Sequence, residues 1–135
     1  MGDIKKLAVL VSGNGSNLQS IIDSINIGEI NANISLVISN IETAFALTRA
    51  KQENLNSAFL NHKNFSSRES FDQALSELLI KHKIDLIVLA GFMRILSNSF
   101  TEKFNRKIIN IHPSLLPKYP GLKTHEKVIN NKDKY

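Results

Sequence analysis

The sequence predicts a doubly wound α/β domain, a mostly parallel sheet with helices on both faces. Three observations predict it. Short continuous apolar runs, such as Leu7-Ala8-Val9-Leu10-Val11 and Leu86-Ile87-Val88-Leu89-Ala90, fit strands buried on both faces. Between them lie stretches with apolar residues at i, i+3, i+4 and i+7, the stripe of a helix packed on one side. The two kinds alternate several times, which is the order a parallel sheet with helical crossovers requires. With 135 residues, 42% hydrophobic and 21% charged, the chain is expected to form one domain, 1–135, with a core of its own.

Each element has its own justification. The apolar run from Leu7 to Val11 follows two lysines and has the outline of a leader. It stops at Ser12-Gly13-Asn14, too soon for a secretory or membrane segment, and reads as the first strand. Ser16 or Asn17 can cap the helix that follows, whose inward face is Leu18, Ile21, Ile22 and Ile25, and Gly28 is placed to stop it. Ile34–Ile38 is the second strand, ending at Ser39-Asn40. A helix is expected from Thr43 to Ala50, with Ala44, Leu47 and Ala50 inward, then a short third strand over Ser57–Leu60. Ser66 and Glu69 have capping-box spacing before a helix that buries Phe71, Ala74, Leu75, Leu78 and Leu79. Asp85–Ala90, closed by Gly91, is the fourth strand. Ser97 caps a short helix carrying Phe100 and Phe104, Ile108–His112 is the fifth strand, and His125–Asn130 is helical again.

In such sheets ligands bind beyond the carboxyl ends of the strands. Those ends carry Ser12–Asn17, Gly91–Arg94 and Asn110–Pro113. Asn110 and His112 are two apart, so at a strand end they share a face, and Pro113 holds His112 toward an extended conformation. An amide donor beside a titratable ring suits a reaction that builds negative charge on oxygen and moves a proton. The plainer alternative is a strand with a polar tip entering a proline-braced turn. Gly13-x-Gly15 opens a helix as a dinucleotide fingerprint does. However, the third glycine position is Leu18, Asn40 stands where a ribose-binding acid is expected, and Glu42 is a poor substitute. No Gly-Lys-Ser or Gly-Lys-Thr follows, which excludes a Walker loop. What remains is either a backbone N–H cradle for phosphate at a helix N-terminus or a plain tight turn.

The net charge of +5 permits anionic partners, but the 17 basic residues are scattered singly rather than gathered in the dense stripe of a nucleic-acid surface. Zero cysteines exclude a disulfide framework and thiolate metal sites and agree with a cytoplasmic location. His112, His125 and Asp133 match no established metal-ligand spacing, so no metal is expected.

Three motifs taken together, Ser12-Gly13-Asn14-Gly15-Ser16-Asn17-Leu18-Gln19, Ala90-Gly91-Phe92-Met93-Arg94-Ile95-Leu96 and Asn110-Ile111-His112-Pro113-Ser114-Leu115-Leu116-Pro117, resemble the phosphoribosylglycinamide formyltransferase family, folate-dependent enzymes of purine synthesis. The proline-rich motif is shared in looser form with methionyl-tRNA formyltransferase and formyltetrahydrofolate hydrolase. The Gly-Asn-Gly-Ser-Asn loop selects the glycinamide enzymes. The resemblance implies a Rossmann-like formyltransferase fold and transfer of a formyl group from 10-formyltetrahydrofolate, as co-substrate, to the amine of 5-phosphoribosylglycinamide. It makes Asn110 the oxyanion donor and His112 the proton donor, and places the substrate phosphate on Gly15, Ser16 and Asn17. It sets the folate against Arg68, Met93, Arg94, Ile95, Leu96 and Asn110. It implies neither a nucleic-acid nor a membrane partner. Without the resemblance, Arg68 reads as a solvated charge, and Met93, Ile95 and Leu96 read as core.

The chain ends at Tyr135, before the family's His-Gly motif, its last strands and the aspartate that orients the catalytic histidine. It is therefore expected to be C-terminally truncated and, alone, weak or inactive. An uncovered edge at the fifth strand predicts self-association, or disorder after Gly121. The proline-dense loop raises the odds of a cis bond at Leu116-Pro117 and Tyr119-Pro120, most at the first. Two other functions remain open: a non-catalytic phosphate- or nucleotide-binding module, and a basic nucleic-acid-binding domain, whose mark would be steep salt dependence.

Overall fold

The computed structural model describes residues 4–111. They form five parallel strands, β1 (Lys5–Val11), β2 (Ala32–Ser39), β3 (Ser57–Phe59), β4 (Leu86–Leu89) and β5 (Ile108–Asn110), in the order β3-β2-β1-β4-β5. The helices between them are α1 (Ser16–Asn26), α2 (Phe45–Gln52), α3 (Arg68–Lys81) and α4 (Asn98–Lys103), with one 3₁₀ turn at His62–Asn64. The chain steps outward from β1 to β3, then crosses back and continues outward on the other side through β4 and β5. Neighbouring β1 and β4 are therefore the point where the winding reverses, and the loops after them part in opposite directions.

The alternation of side chains along each strand divides the core in two. Leu7, Val9 and Val11 of β1, with Val37 and Ile109, pack against Leu18, Ile21 and Ile22 of α1 and Ala46 and Ala50 of α2. Ala8 and Leu10, with Leu36, Ile38, Ile87 and Ile108, pack against Phe71, Leu75 and Leu79 of α3 and Phe100 and Phe104 at α4. Leu7–Val11 of β1 and all of β4 are apolar without interruption because both faces are covered.

Among the described residues the expected elements are present with shifted ends and four local corrections. The cap of α1 is not a side chain of Ser16 or Asn17. Gly15 takes the cap position at φ +83°, and Asn14 Oδ1 accepts from the Ser16 N–H at 2.8 Å instead. The capping box of α3 falls on Ser67 and Ser70, one residue after the expected Ser66–Glu69 pair. A second serine hydroxyl, 3.2 Å from the Ser67 N–H, does what a glutamate would, and Glu69 stays exposed. On α2, Ala44 and Ala50 are buried as expected, but Leu47 is only half-buried. Ala46 is fully buried in its stead, because the helix begins at Phe45 and turns that residue onto the loop after β1. Ala74 and Leu78 of α3 are half-buried, while Asp72 and Ser76 take buried places on that helix.

His112, the bonds at Leu116-Pro117 and Tyr119-Pro120, the helix expected at His125–Asn130 and the segment after Gly121 lie outside the described residues. Within them β3 and β5 form the two edges of the sheet.

Phe71 is fully buried, meets the Phe65 ring edge-on at 5.5 Å and supports the Arg94 guanidinium 4.4 Å from its centroid. Phe71→Ala is expected to destabilise the fold by about 3–5 kcal/mol, read from denaturant unfolding.

Candidate functional site

The carboxyl ends of β1, β2 and β4 are tied together by one hydroxyl. Ser12, one residue past β1 and 8% exposed, donates its Oγ hydrogen to Asn40 Oδ1 at 2.5 Å and accepts from the Met93 N–H at 2.7 Å. Its own N–H donates to the Gly91 carbonyl at 3.2 Å. Asn40 is 6% exposed, so this network sits in low dielectric, where each of these bonds is stronger than in water. The amide at Asn40, where a nucleotide-binding sheet would carry an acid, is thus consumed in holding the rim together.

From Ser12 the chain enters the glycine loop. Gly15 needs to be glycine for two reasons. Its φ of +83° is a left-handed conformation, and a Cβ there would stand 2.8 Å from both Cα and Cβ of Ala46. Gly13 has open space around it and no such φ. The loop leads straight into α1, whose first N–H groups have no partner within the helix and carry the positive end of its dipole. Of these, the Ser16 N–H is engaged by the Asn14 side chain.

On the other side of Ser12, the segment after β4 borders a groove of about 860 Å³. Leu89 and Ile108 contribute to it from the strands, Phe92, Arg94, Ile95 and Leu96 from the loop, and Asn110 from the end of β5. Asn110 pairs in register with Leu89, and the Ile111 N–H donates to the Leu89 carbonyl at 3.0 Å, which fixes the end of β5 against β4. The volume and the mix of apolar walls with a few polar groups suit a small organic ligand.

The structure brings together Arg94, Ile95, Leu96 and Asn110, all lining this groove, and ties their loop to the segment leading into Gly15, Ser16 and Asn17. The Arg94 guanidinium is turned inward onto Phe71, with its Nε buried and without a partner among the described residues, so the groove receives the segment around it more than its charge. Met93 and Ile95 are 81% and 71% exposed, which overturns the reading of these residues as core. Met93 and Arg68 are not among the groove residues. Arg68 is the exposed first residue of α3. His112 follows the last described residue.

Sequence reasoning missed three residues of this region. Ser12 and Asn40 were legible only as polar ends of strands, although such ends on neighbouring strands are placed to meet. Arg49 of α2 reads as a solvated helix charge. Instead its Nε donates to the Asn14 carbonyl at 2.8 Å and its Nη1 to Gln19 Oε1 at 3.1 Å.

Comparison with known proteins gives a consistent result. A family model described as formyl transferase matches residues 5–135. A phosphoribosylglycinamide formyltransferase of Haemophilus influenzae is 51% identical over 130 residues, which cover 96% of this chain and 61% of that protein. The Escherichia coli protein of the same name is 46% identical over 127 residues, 94% of this chain and 60% of that one. Among solved structures, a phosphoribosylglycinamide formyltransferase from Coxiella burnetii in complex with CHES has a TM-score of 0.79 at 44% identity, covering 95% of this chain and 60% of that chain. The chain thus spans about three-fifths of the length of these curated relatives.

Ser12→Ala strands the Asn40 carbonyl oxygen and the Met93 N–H in a buried place and is expected to cost about 1–3 kcal/mol in chemical unfolding. Gly15→Ala is expected to cost at least ~1–2 kcal/mol from conformation alone, before the clash with Ala46. Gly13→Ala, by contrast, should stay within about 0.5 kcal/mol. Parallel unfolding curves of the two glycine variants check the contrast.

Proposed function

The chain belongs to the formyl transferase family, and we propose that it acts in transfer of a formyl group from 10-formyltetrahydrofolate to the amine of 5-phosphoribosylglycinamide, a step of purine biosynthesis. The observation that carries this reading is the Ser12 knot, which fastens the glycine loop and the groove of about 860 Å³ to the same rim of the sheet. The substrate phosphate takes the N-terminus of α1, on the N–H groups of Gly15, Ser16 and Asn17. For Ser16 to take part, the Asn14 side chain has to release its N–H. The pterin lies in the groove against Arg94, Ile95 and Leu96. Met93 and Arg68, which do not line the groove, meet the rest of the folate. The exposed apolar side chains of Met93 and Ile95 support a flat, partly apolar partner on this segment.

The chemistry follows from the ends of the strands. The substrate amine attacks the formyl carbon, a C–N bond forms, and the carbonyl electrons move onto oxygen. Asn110, half-buried at the tip of β5, donates its amide hydrogen to that oxyanion. Collapse of the tetrahedral intermediate breaks the bond to the folate nitrogen, which leaves with a proton supplied by the His112 imidazole, and the attacking nitrogen releases the proton that returns the ring to its charged form. No step assigns work to a metal. The reading goes with a cytoplasmic site of action. Among the described residues no helix is long and apolar enough to cross a membrane.

A nucleotide-binding module is the weaker reading, because the position that would grip a ribose diol is Asn40, and its carbonyl is committed to Ser12. Calorimetric titration separates the two. The chain is expected to bind both a 10-formylfolate analogue and 5-phosphoribosylglycinamide, whereas a nucleotide module would bind nucleotides and neither of these. Any formyl-transfer rate the chain carries should fall by about a hundredfold to a thousandfold in Asn110→Ala. A comparable loss is expected in His112→Ala, with ligand binding retained.

A further inference from the structure

We propose that Arg49 is a positioning residue that sets the direction of the Gly15 N–H, and so decides whether the loop after β1 offers a donor or an acceptor to a phosphate. This rests on the reading of that loop as the phosphate site.

A trans peptide unit is planar, so its C=O and N–H point in opposite directions. The unit joining residues 14 and 15 has the Asn14 carbonyl on one side and the Gly15 N–H on the other. Arg49 Nε donates to that carbonyl at 2.8 Å, which pulls the oxygen toward α2 and turns the N–H the other way. The restraint matters because glycine adopts positive and negative φ about equally well, so a peptide unit next to Gly15 turns over more easily than most. Turned over, it would present a carbonyl oxygen where an anion expects a hydrogen.

The guanidinium is itself held on three sides. Its Nη1 donates to Gln19 Oε1 at 3.1 Å, and Gln19 Nε2 donates in turn to Asp23 Oδ1 at 3.0 Å, one helical turn further along α1. The Phe45 ring centroid lies 4.8 Å from its central carbon. Its Cδ lies against Gly15, 3.2 Å from where a Cβ would be. The planar fork reaches the loop and α1 at once, which a single ammonium does not. α2 therefore braces the loop through Ala46 packing under Gly15 and Arg49 anchoring the Asn14 carbonyl.

The test is calorimetric titration of the 135-residue chain with ribose 5-phosphate, with unfolding midpoints measured alongside. Arg49→Ala is expected to weaken binding roughly tenfold, the effect of losing one well-placed charged hydrogen bond. Arg49→Lys, which keeps a cationic donor for the Asn14 carbonyl, should recover part of that loss at an unchanged unfolding midpoint. Gln19→Ala, which leaves the loop untouched and frees one arm of the fork, is the milder variant and should weaken binding about twofold to threefold. Binding in Arg49→Ala equal to that of the unaltered chain overturns the positioning role and leaves the phosphate site standing. So does Arg49→Lys binding no better than Arg49→Ala. Should Arg49→Ala fail to fold, unchanged affinity in Gln19→Ala overturns it. Absence of ribose 5-phosphate binding by the unaltered chain overturns the phosphate site and this inference together.

Discussion

One buried hydroxyl holds the carboxyl-terminal end of this sheet together. Parallel strands align their backbones but leave their carboxyl-terminal loops free to diverge, most of all at β1 and β4, where the winding reverses. Ser12 closes that divergence by donating to Asn40 beyond β2 and accepting from Met93 beyond β4. Its position is set by β1 itself, whose Leu7–Val11 are buried on both faces by the helices, so the hydroxyl is delivered from the most rigid part of the core. The glycine loop and the groove therefore keep a fixed relation through Ser12.

The same logic of support from behind applies to the loop itself. A chain that turns sharply from a strand into a helix exposes backbone groups of both signs, and only their orientation makes the turn useful to an anion. Here α2 supplies the constraint from across β2, with Ala46 leaving room only for glycine at position 15 and Arg49 taking the outward-facing carbonyl. The groove is supported in a comparable way by Phe71, over which the Arg94 side chain folds, leaving Ile95 and Leu96 to line the groove.

What could be read from the amino acids follows from this hierarchy. The strands were legible because burial on both faces produces continuous apolar runs, as in Leu86–Leu89, and α1 because its stripe of Leu18, Ile21 and Ile22 has one helical period. The loops Ser12–Asn17 and Gly91–Arg94 and the tip of β5 at Asn110 were legible as glycine or polar residues closing apolar runs, and their arrival at one rim follows from parallel order alone. Ser97 caps α4 as expected, whereas the caps of α1 and α3 fall beside their expected residues because several polar side chains stand in a row. Only three-dimensional packing selects Asn14 over Ser16, or Ser67 over Ser66. Arg49 was illegible for a stronger reason. Its partners lie 35 and 30 residues away in sequence, and a lone arginine on a short helix carries no local signature of what it reaches.

The central claim is that loop and groove form one site joined through Ser12. Amide chemical-shift mapping tests it most directly, with the isotope-labelled chain titrated first with 5-phosphoribosylglycinamide and then with a 10-formylfolate analogue. The account predicts shifts at Gly15, Ser16 and Asn17 with the first ligand and at Arg94, Ile95 and Leu96 with the second, and movement of the Ser12 and Met93 amides in both. Shifts gathered instead at the opposite end of the sheet, around Lys6 and Asp85, or a response of one loop that leaves Ser12 unmoved, would contradict it.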